Sequence, residues 1–200
     1  MSTRLRKPSP EGLQAFLKRL SKELLPLDDW GTFRVGAKSA AVAVVLYRRQ
    51  DAWYVPFVVR RSDLPSHPGQ VGLPGGMVRQ GESAWEAAAR EVEEEIGVPA
   101  RELVPLGAGA PFYAAVTNFS VVPFVAWLDG EQGSFRADPR ELDSVIEVRL
   151  ERLLDAGAWL EGANPVPGRH LPVEDTMIWG LTARLLADVL PRISAARPEP

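Results

Sequence analysis

The chain has no cysteine in 200 residues, so disulfides, thiolate metal sites and cysteine nucleophiles are excluded. It also lacks a basic excess: 23 basic against 26 acidic side chains leave a net charge of -3, which argues against a nucleic-acid surface. Nineteen of the basic residues are Arg and four are Lys, a bias that genome composition alone can produce. No apolar run approaches the roughly 18 residues of a membrane span. The charged start MSTRLRKPSPEG contains no apolar stretch of the signal-peptide kind, and the ending ARPEP is no receptor-read address. The expectation is a cytoplasmic protein without membrane or nucleic-acid partners.

What is present is ordinary globular material. The apolar fraction is 46% and the charged fraction 24%, enough to bury one core in a single domain. Ser9 and Pro10 read as N-cap and first helical position, and Leu13, Phe16, Leu17, Leu20 and Leu24 follow at helical spacing. This predicts an amphipathic helix over 10–25, with Lys18, Arg19 and Lys22 on its solvated face, then a connector to Gly36. Residues 40–47 and 53–60 read as a hairpin across Arg48–Asp51, with Pro56 pointing to an edge or a bulge. Residues 61–81, rich in Gly, Pro, Ser and Asp, read as a long loop. Further strands are expected at 121–128, closed by Asp129–Gly130, and at 145–150. A short helix over 150–156 and a Pro/Gly loop over 161–173 come next. A last helix starts at Met177 and stops at Pro191. The order predicts an α/β (α+β) domain with a mixed sheet, over 37–191, flanked by a helical segment 1–36 and a tail 192–200.

The informative stretch is GGMVRQGESAWEAAAREVEEEIGV, residues 75–98. Ser83 and Glu86 form a capping box and Gly97 suits a left-handed C-terminal position, which predicts a helix over 84–96. With about 100° per residue, Glu91, Glu94 and Glu95 share an arc of about 100°. Trp85, Ala88, Ala89, Val92 and Ile96 form the buried face. Arg90 can reach Glu86 and Glu94, and Ala87 leaves room beside the acids for a ligand. Three clustered carboxylates repel unless their pKa values rise or a cation joins them. A hard divalent ion completed by water and phosphate oxygens resolves the repulsion, although a solvated acidic face is an equally ordinary arrangement.

The spacing is more specific than the helix. Gly76, five residues, Glu82, seven residues, then Arg90-Glu91-Val92-Glu93-Glu94-Glu95-Ile96-Gly97-Val98 resembles the Nudix box, G-x5-E-x7-R-E-U-x-E-E-x-G-U, at every defined position. The resemblance implies an α/β/α sandwich with a mixed sheet, whose loop–helix–loop motif cleaves nucleoside diphosphate derivatives with Mg²⁺ or Mn²⁺. By position it implies Glu91, Glu94 and Glu95 as metal ligands and Arg90 as the residue orienting them. Glu82 would brace the loop or assist at the metal, and Gly76 would let the loop approach.

Upstream, residues Arg60 to Gly76 resemble the segment T-x-R-S-x3-R-x3-G-x3-F-P-G-G of the coenzyme A diphosphatase branch. Arg61-Ser62, Gly69 and Pro74-Gly75-Gly76 match. The Ser62–Gly69 interval is one residue shorter, the second Arg has no counterpart, and Leu73 stands for Phe. Val121–Val125, Glu141-Leu142-Asp143 and Ile178–Ala183 follow the branch's order downstream. The resemblance implies a coenzyme A substrate cut to 3′,5′-ADP and 4′-phosphopantetheine. Other members of the family would act on ADP-ribose, nucleotide sugars or nucleoside triphosphates, or only sense a ligand. The candidate substrate contacts are Arg60, Arg61, His67, Gln70, Gly75 and Gly76. Glu94, Glu91 and Glu141 are the candidate general bases. Phe112 and Tyr113 can stack a base or pack in the core, Trp179 reads as core, and His170 as solvated. A homodimer is compatible with this reading.

Overall fold

The structure is a computed structural model that describes residues 10–27, 34–65, 67–131, 135–162 and 168–197. Its frame is a mixed sheet whose central strand, β1 (Lys38–Arg49), reads as almost unbroken apolar sequence because both of its faces are covered. Val44 and Leu46 point to one side, packed with Leu20 of α1 (Pro10–Glu23) and with Leu186 and Val189 of α4 (Gly180–Ala196). Ala41, Ala43, Val45 and Tyr47 point to the other, against α2 (Ala84–Ile96). Helices on both faces make the α/β/α sandwich that was expected.

β2 (Ala52–Arg60) returns antiparallel from β1 through the turn at Gln50–Asp51, where Gln50 has φ 55°. The β1–β2 ladder reaches only Tyr54, so Pro56 lies beyond its end and needs no N–H on that flank. The irregularity in β2 falls instead at Val59/Arg60, opposite β8 (Leu142–Arg149). The expected 61–81 loop holds two short strands, β3 (Val71–Gly72) on β2 and β4 (Gly75–Met77) on β1. Strands of two or three residues carry no periodicity, which is why composition alone reads them as loop. On the far flank β7 (Phe119–Glu131) runs parallel to β1 and pairs with β5 (Leu103–Ala108) and β6 (Phe112–Ala114). β7 continues through Asp129–Gly130 rather than closing there.

Three expectations fail near the C-terminus. Met177 and Ile178, expected to open the last helix, lie in β11 (Thr176–Ile178), and α4 begins at Gly180. Residues 168–173 form β10 (Gly168–Val173), paired with β9 (Leu160–Gly162) and β11, where a loop was expected. Residues 163–167 of that segment lie outside the described residues, as does Ser9. The short helix α3 (Leu150–Leu154) precedes β9. Pro191 does not stop α4, which runs on to Ala196. A proline there removes one helical hydrogen bond. Burial of Ile193 and Ala196, both under 2% exposed, outweighs that loss. Arg19 of α1 donates to the Ala196 carbonyl at 2.8 Å, so the first and last helices close one face together. Both therefore share the core of 37–191, on either side of the expected boundaries at 36 and 191. Among the described residues no helix is long and apolar enough to cross a membrane.

Candidate active site

α2 is made to lie close to the sheet. Its inward residues Ala84, Ala87 and Ala88 meet Ala41 and Ala43 of β1, alanine against alanine, while Trp85 sets its ring edge-on to Phe124 at 5.7 Å. Ala87 is fully buried, so it provides packing rather than the ligand space expected beside the acids. The helix starts as predicted: Glu86 N–H donates to Ser83 Oγ at 3.2 Å and Ser83 N–H to Glu86 Oε2 at 2.8 Å. That use of Glu86 explains why Arg90 pairs elsewhere.

The close approach brings the acids of α2 under β4. Glu95 is 6% exposed, and its Oε2 accepts the Gly75 N–H at 2.9 Å. A Cβ on Gly76 would stand 2.4 Å from Glu91 Oε1, and one on Gly75, at φ +158°, 2.4 Å from the Ala41 carbonyl oxygen. Gly76 thus leaves no room for a side chain beneath Glu91, and Gly75 leaves none against β1.

Arg90 ties the rest together. Its guanidinium donates to Glu82 Oε1 at 2.7 Å and Oε2 at 3.1 Å, to Glu91 Oε1 at 2.6 Å, to Glu94 Oε2 at 3.1 Å and to the Met77 carbonyl at 3.1 Å. Hydrogen bonding to Glu82 is the main influence raising the Arg90 pKa and lowering that of Glu82. Arg79, which sequence reasoning missed, holds Glu94 from the solvent side with two contacts of 3.3 Å. It falls in the five-residue gap between Gly76 and Glu82, where the box defines no residue type, so no pattern signals it.

Burial pushes the Glu95 carboxyl up to about 8; the Gly75 N–H opposes this, neighbouring Glu91 and Glu141 add to it, and Arg60 counters it. The charges of Glu141 and Arg60 thus both reach Glu95. The loop bearing Glu141 is bound to both neighbours: Asp138 N–H donates to the Glu95 carbonyl and Arg61 N–H to the Glu141 carbonyl, each at 3.0 Å. Arg60 Nε is buried and has no hydrogen-bond partner among the described residues. Arg61 is committed elsewhere, to Asp63 Oδ1 at 2.8 Å and to the Pro139 carbonyl at 2.7 Å. His67 is exposed at a turn with φ 55°, its carbonyl accepting the Gln70 N–H at 3.3 Å, while the Gln70 carbonyl accepts Arg60 N–H at 3.0 Å.

A family model described as the NUDIX domain matches residues 37–167, from the start of β1 past α3. The chain belongs to the Nudix hydrolase family. "Uncharacterized Nudix hydrolase NudL" of Yersinia enterocolitica is 32% identical over 163 residues, 78% of this chain and 82% of that protein. Its namesake in Escherichia coli K12 is 29% identical over 158 residues, 76% and 81% of the two chains. The fold matches the Ap4A hydrolase of C. elegans with TM-score 0.53 at 19% identity, over 79% of this chain and 96% of that one. It also matches the NUDIX domain of Shewanella oneidensis NrtR, solved with ADP ribose, with TM-score 0.54 at 18% identity over 80% and 90%.

Nudix hydrolases generally need a divalent ion such as Mg²⁺ or Mn²⁺. Among the described residues of this Nudix chain no three acidic or imidazole groups stand together as a finished metal cage. Glu91 and Glu94 are turned onto guanidinium groups instead. The donor chemistry nevertheless fits a hard cation: three carboxylates lie on two adjacent turns of α2, and the buried one is met by a backbone N–H. The remaining Nudix-chain expectations are structural. Phe112 and Tyr113 are half-buried in β6, with Arg184 over Phe112 at 5.5 Å and Arg34 over Tyr113 at 4.0 Å. Trp179 is half-buried at the start of α4 rather than core, and His170 lies in β10 rather than in a loop.

Proposed function

We propose that this Nudix hydrolase cleaves the diphosphate of coenzyme A or its thioesters, releasing 3′,5′-ADP and 4′-phosphopantetheine or its acyl form. The observation that carries the catalytic part is the packing of Glu91 and Glu95 against Gly75–Gly76, with Glu94 joined to Glu91 through Arg90, which Glu82 braces. Glu91, Glu94 and Glu95 would hold Mg²⁺ or Mn²⁺, which when bound neutralises diphosphate charge and acidifies a water. Glu95 gives the site a carboxylate shielded from solvent. Arg90 fixes the other two carboxylates relative to Glu82 and so sets the distance between strand and helix.

Glu141 is the best-supported general base. Its loop is bonded to the Glu95 carbonyl and its charge reaches Glu95, whereas Glu91 and Glu94 are held by arginines and are needed as ligands. It would take the proton of the attacking water while the phosphoanhydride bond breaks. Arg60 would bind phosphate, since its buried Nε has a donor to offer.

A second reading, hydrolysis of ADP-ribose or of another nucleoside diphosphate derivative, is favoured by one observation. Arg61 is bonded to Asp63 and Pro139, which takes away one of the two arginines that would read the 3′-phosphate. Comparing coenzyme A with ADP-ribose by kcat/KM under Mg²⁺ and Mn²⁺, with products identified by mass, decides between the two.

A further inference from the structure

We infer that Arg79 is a resident counter-ion of the metal site, a cation built into the chain that competes with the divalent ion for Glu94 and so sets its affinity. The inference rests on the metal site proposed above. Arg79 presents Nη1 to Glu94 Oε1 and Nη2 to Glu94 Oε2, both at 3.3 Å, so the guanidinium covers both carboxylate oxygens. Arg90 meets only one of them, Oε2 at 3.1 Å, from the other side.

The two arginines differ in kind. Arg90 has a side chain 18% exposed and spreads its donors over Glu82, Glu91, Glu94 and the Met77 carbonyl, which makes it part of the frame. The Arg79 side chain is 59% exposed, and its bonds through the guanidinium go to Glu94. Its backbone is held, however: the Arg79 N–H donates to Glu82 Oε2 at 2.9 Å, and the Arg79 carbonyl accepts the Glu82 N–H at 3.2 Å. A fixed root with a free head lets the guanidinium leave Glu94 without moving the Gly76–Glu82 loop. Arg140 also feels the Glu94 charge, but its guanidinium is bonded to Asp138 at 2.6 Å.

Two cations cannot share Glu94 without repelling, so any divalent ion taking an oxygen of Glu94 must displace Arg79 or bear its charge. The displacement has a cost equal to the exposed pair it breaks. The same exchange keeps the acids compensated when no metal is bound and frees a guanidinium beside the site when one is.

The test is direct metal binding by the chelator-treated full-length protein, following free Mn²⁺ by its electron paramagnetic resonance signal. The variants are Arg79→Gln and Arg79→Lys, with folding confirmed by circular dichroism. Arg79→Gln is expected to bind Mn²⁺ about two- to fivefold more tightly than the wild type, the size of an exposed ion pair. Arg79→Lys keeps the charge but not the planar fork and should fall between. Raising the salt concentration should narrow the gap, because the exposed pair is screened. In a Glu94→Gln background the Arg79 substitution should have no effect. Equal or weaker Mn²⁺ binding by Arg79→Gln overturns the inference while leaving the metal site standing. Absence of Mn²⁺ binding in both proteins overturns the metal site, and the inference with it.

Discussion

Glu95 Oε2 and the Gly75 N–H meet at 2.9 Å, joining the C-terminal half of α2 to β4, the strand that precedes its loop. Burial of this 6% exposed carboxyl raises its pKa to about 8, and the contact with the Gly75 N–H only partly offsets the rise. Stability and activity therefore pull in opposite directions at this residue.

The first consequence concerns substitution. Glu94→Gln and Glu95→Gln should each lower turnover by about a hundredfold or more while the fold persists, since each removes a proposed ligand. Without metal the Tm should hold or rise, and most for Glu95→Gln, whose amide oxygen can still accept the Gly75 N–H. Full activity of either variant at saturating Mg²⁺ would remove that residue from the ligand set.

The second consequence is a pH dependence of the metal-free protein. An acid whose folded pKa lies above its unfolded value favours folding when protonated, so its contribution is complete below about 4.5 and is lost as pH rises through about 8. Denaturant unfolding in chelator should show stability falling across that window, by an amount on the order of a few kcal/mol. Glu95→Gln should flatten the curve. An unchanged slope in the variant would mean that another group carries it.

Adjacent glycines should respond differently to alanine. At Gly75 the new Cβ meets backbone, the Ala41 carbonyl oxygen and Val42 Cα at 2.4 and 2.5 Å, at a φ that side chains avoid. Gly75→Ala should therefore destabilise by at least about 1–3 kcal/mol in denaturant melts. At Gly76 it meets the end of the Glu91 side chain, which can yield. Gly76→Ala should thus fold nearly normally yet lose metal affinity and turnover, and a large loss of stability there would show the carboxylate to be fixed.

Arg60 and Arg61 divide in the same way. Arg60→Ala should raise KM for coenzyme A by about tenfold or more and leave the dephospho form, which lacks the 3′-phosphate, largely unaffected. Arg61→Ala, by freeing Asp63 and Pro139, should depress both substrates together. Equal losses on the two substrates from Arg60→Ala would return that residue to a structural role.

The legible parts of the sequence were those with a period or a fixed spacing. The helix 84–96 could be bounded to the residue because Ser83, Glu86 and Gly97 act locally on backbone groups. Arg90 with Glu94, and Gly76 beneath Glu91, follow from helical geometry and from spacing. Long-range facts were not legible. Nothing in residues 61–81 announces that two short strands complete the sheet there, because their ladders depend on β1 and β2 being in place. Pro191 reads as a stop, since the burial of Ile193 and Ala196 that carries the helix past it is tertiary. For Arg61, pairing with the nearby Asp63 is an alternative to a phosphate contact that the sequence leaves open, and the Pro139 carbonyl, which holds the guanidinium from 78 residues away, is brought to it only by the fold.

The central claim is metal-dependent cleavage of a nucleoside diphosphate derivative, with coenzyme A preferred. The most direct measurement is kcat/KM for coenzyme A, ADP-ribose, Ap4A and a nucleoside triphosphate on one preparation, with Mg²⁺, Mn²⁺ or chelator, and mass spectrometry of the products. The account predicts 3′,5′-ADP and 4′-phosphopantetheine from coenzyme A, the highest kcat/KM for that substrate, and no turnover in chelator. Tenfold better turnover of ADP-ribose, Ap4A or the triphosphate would contradict the substrate assignment, and cleavage that persists in chelator would contradict the role given to Glu91, Glu94 and Glu95.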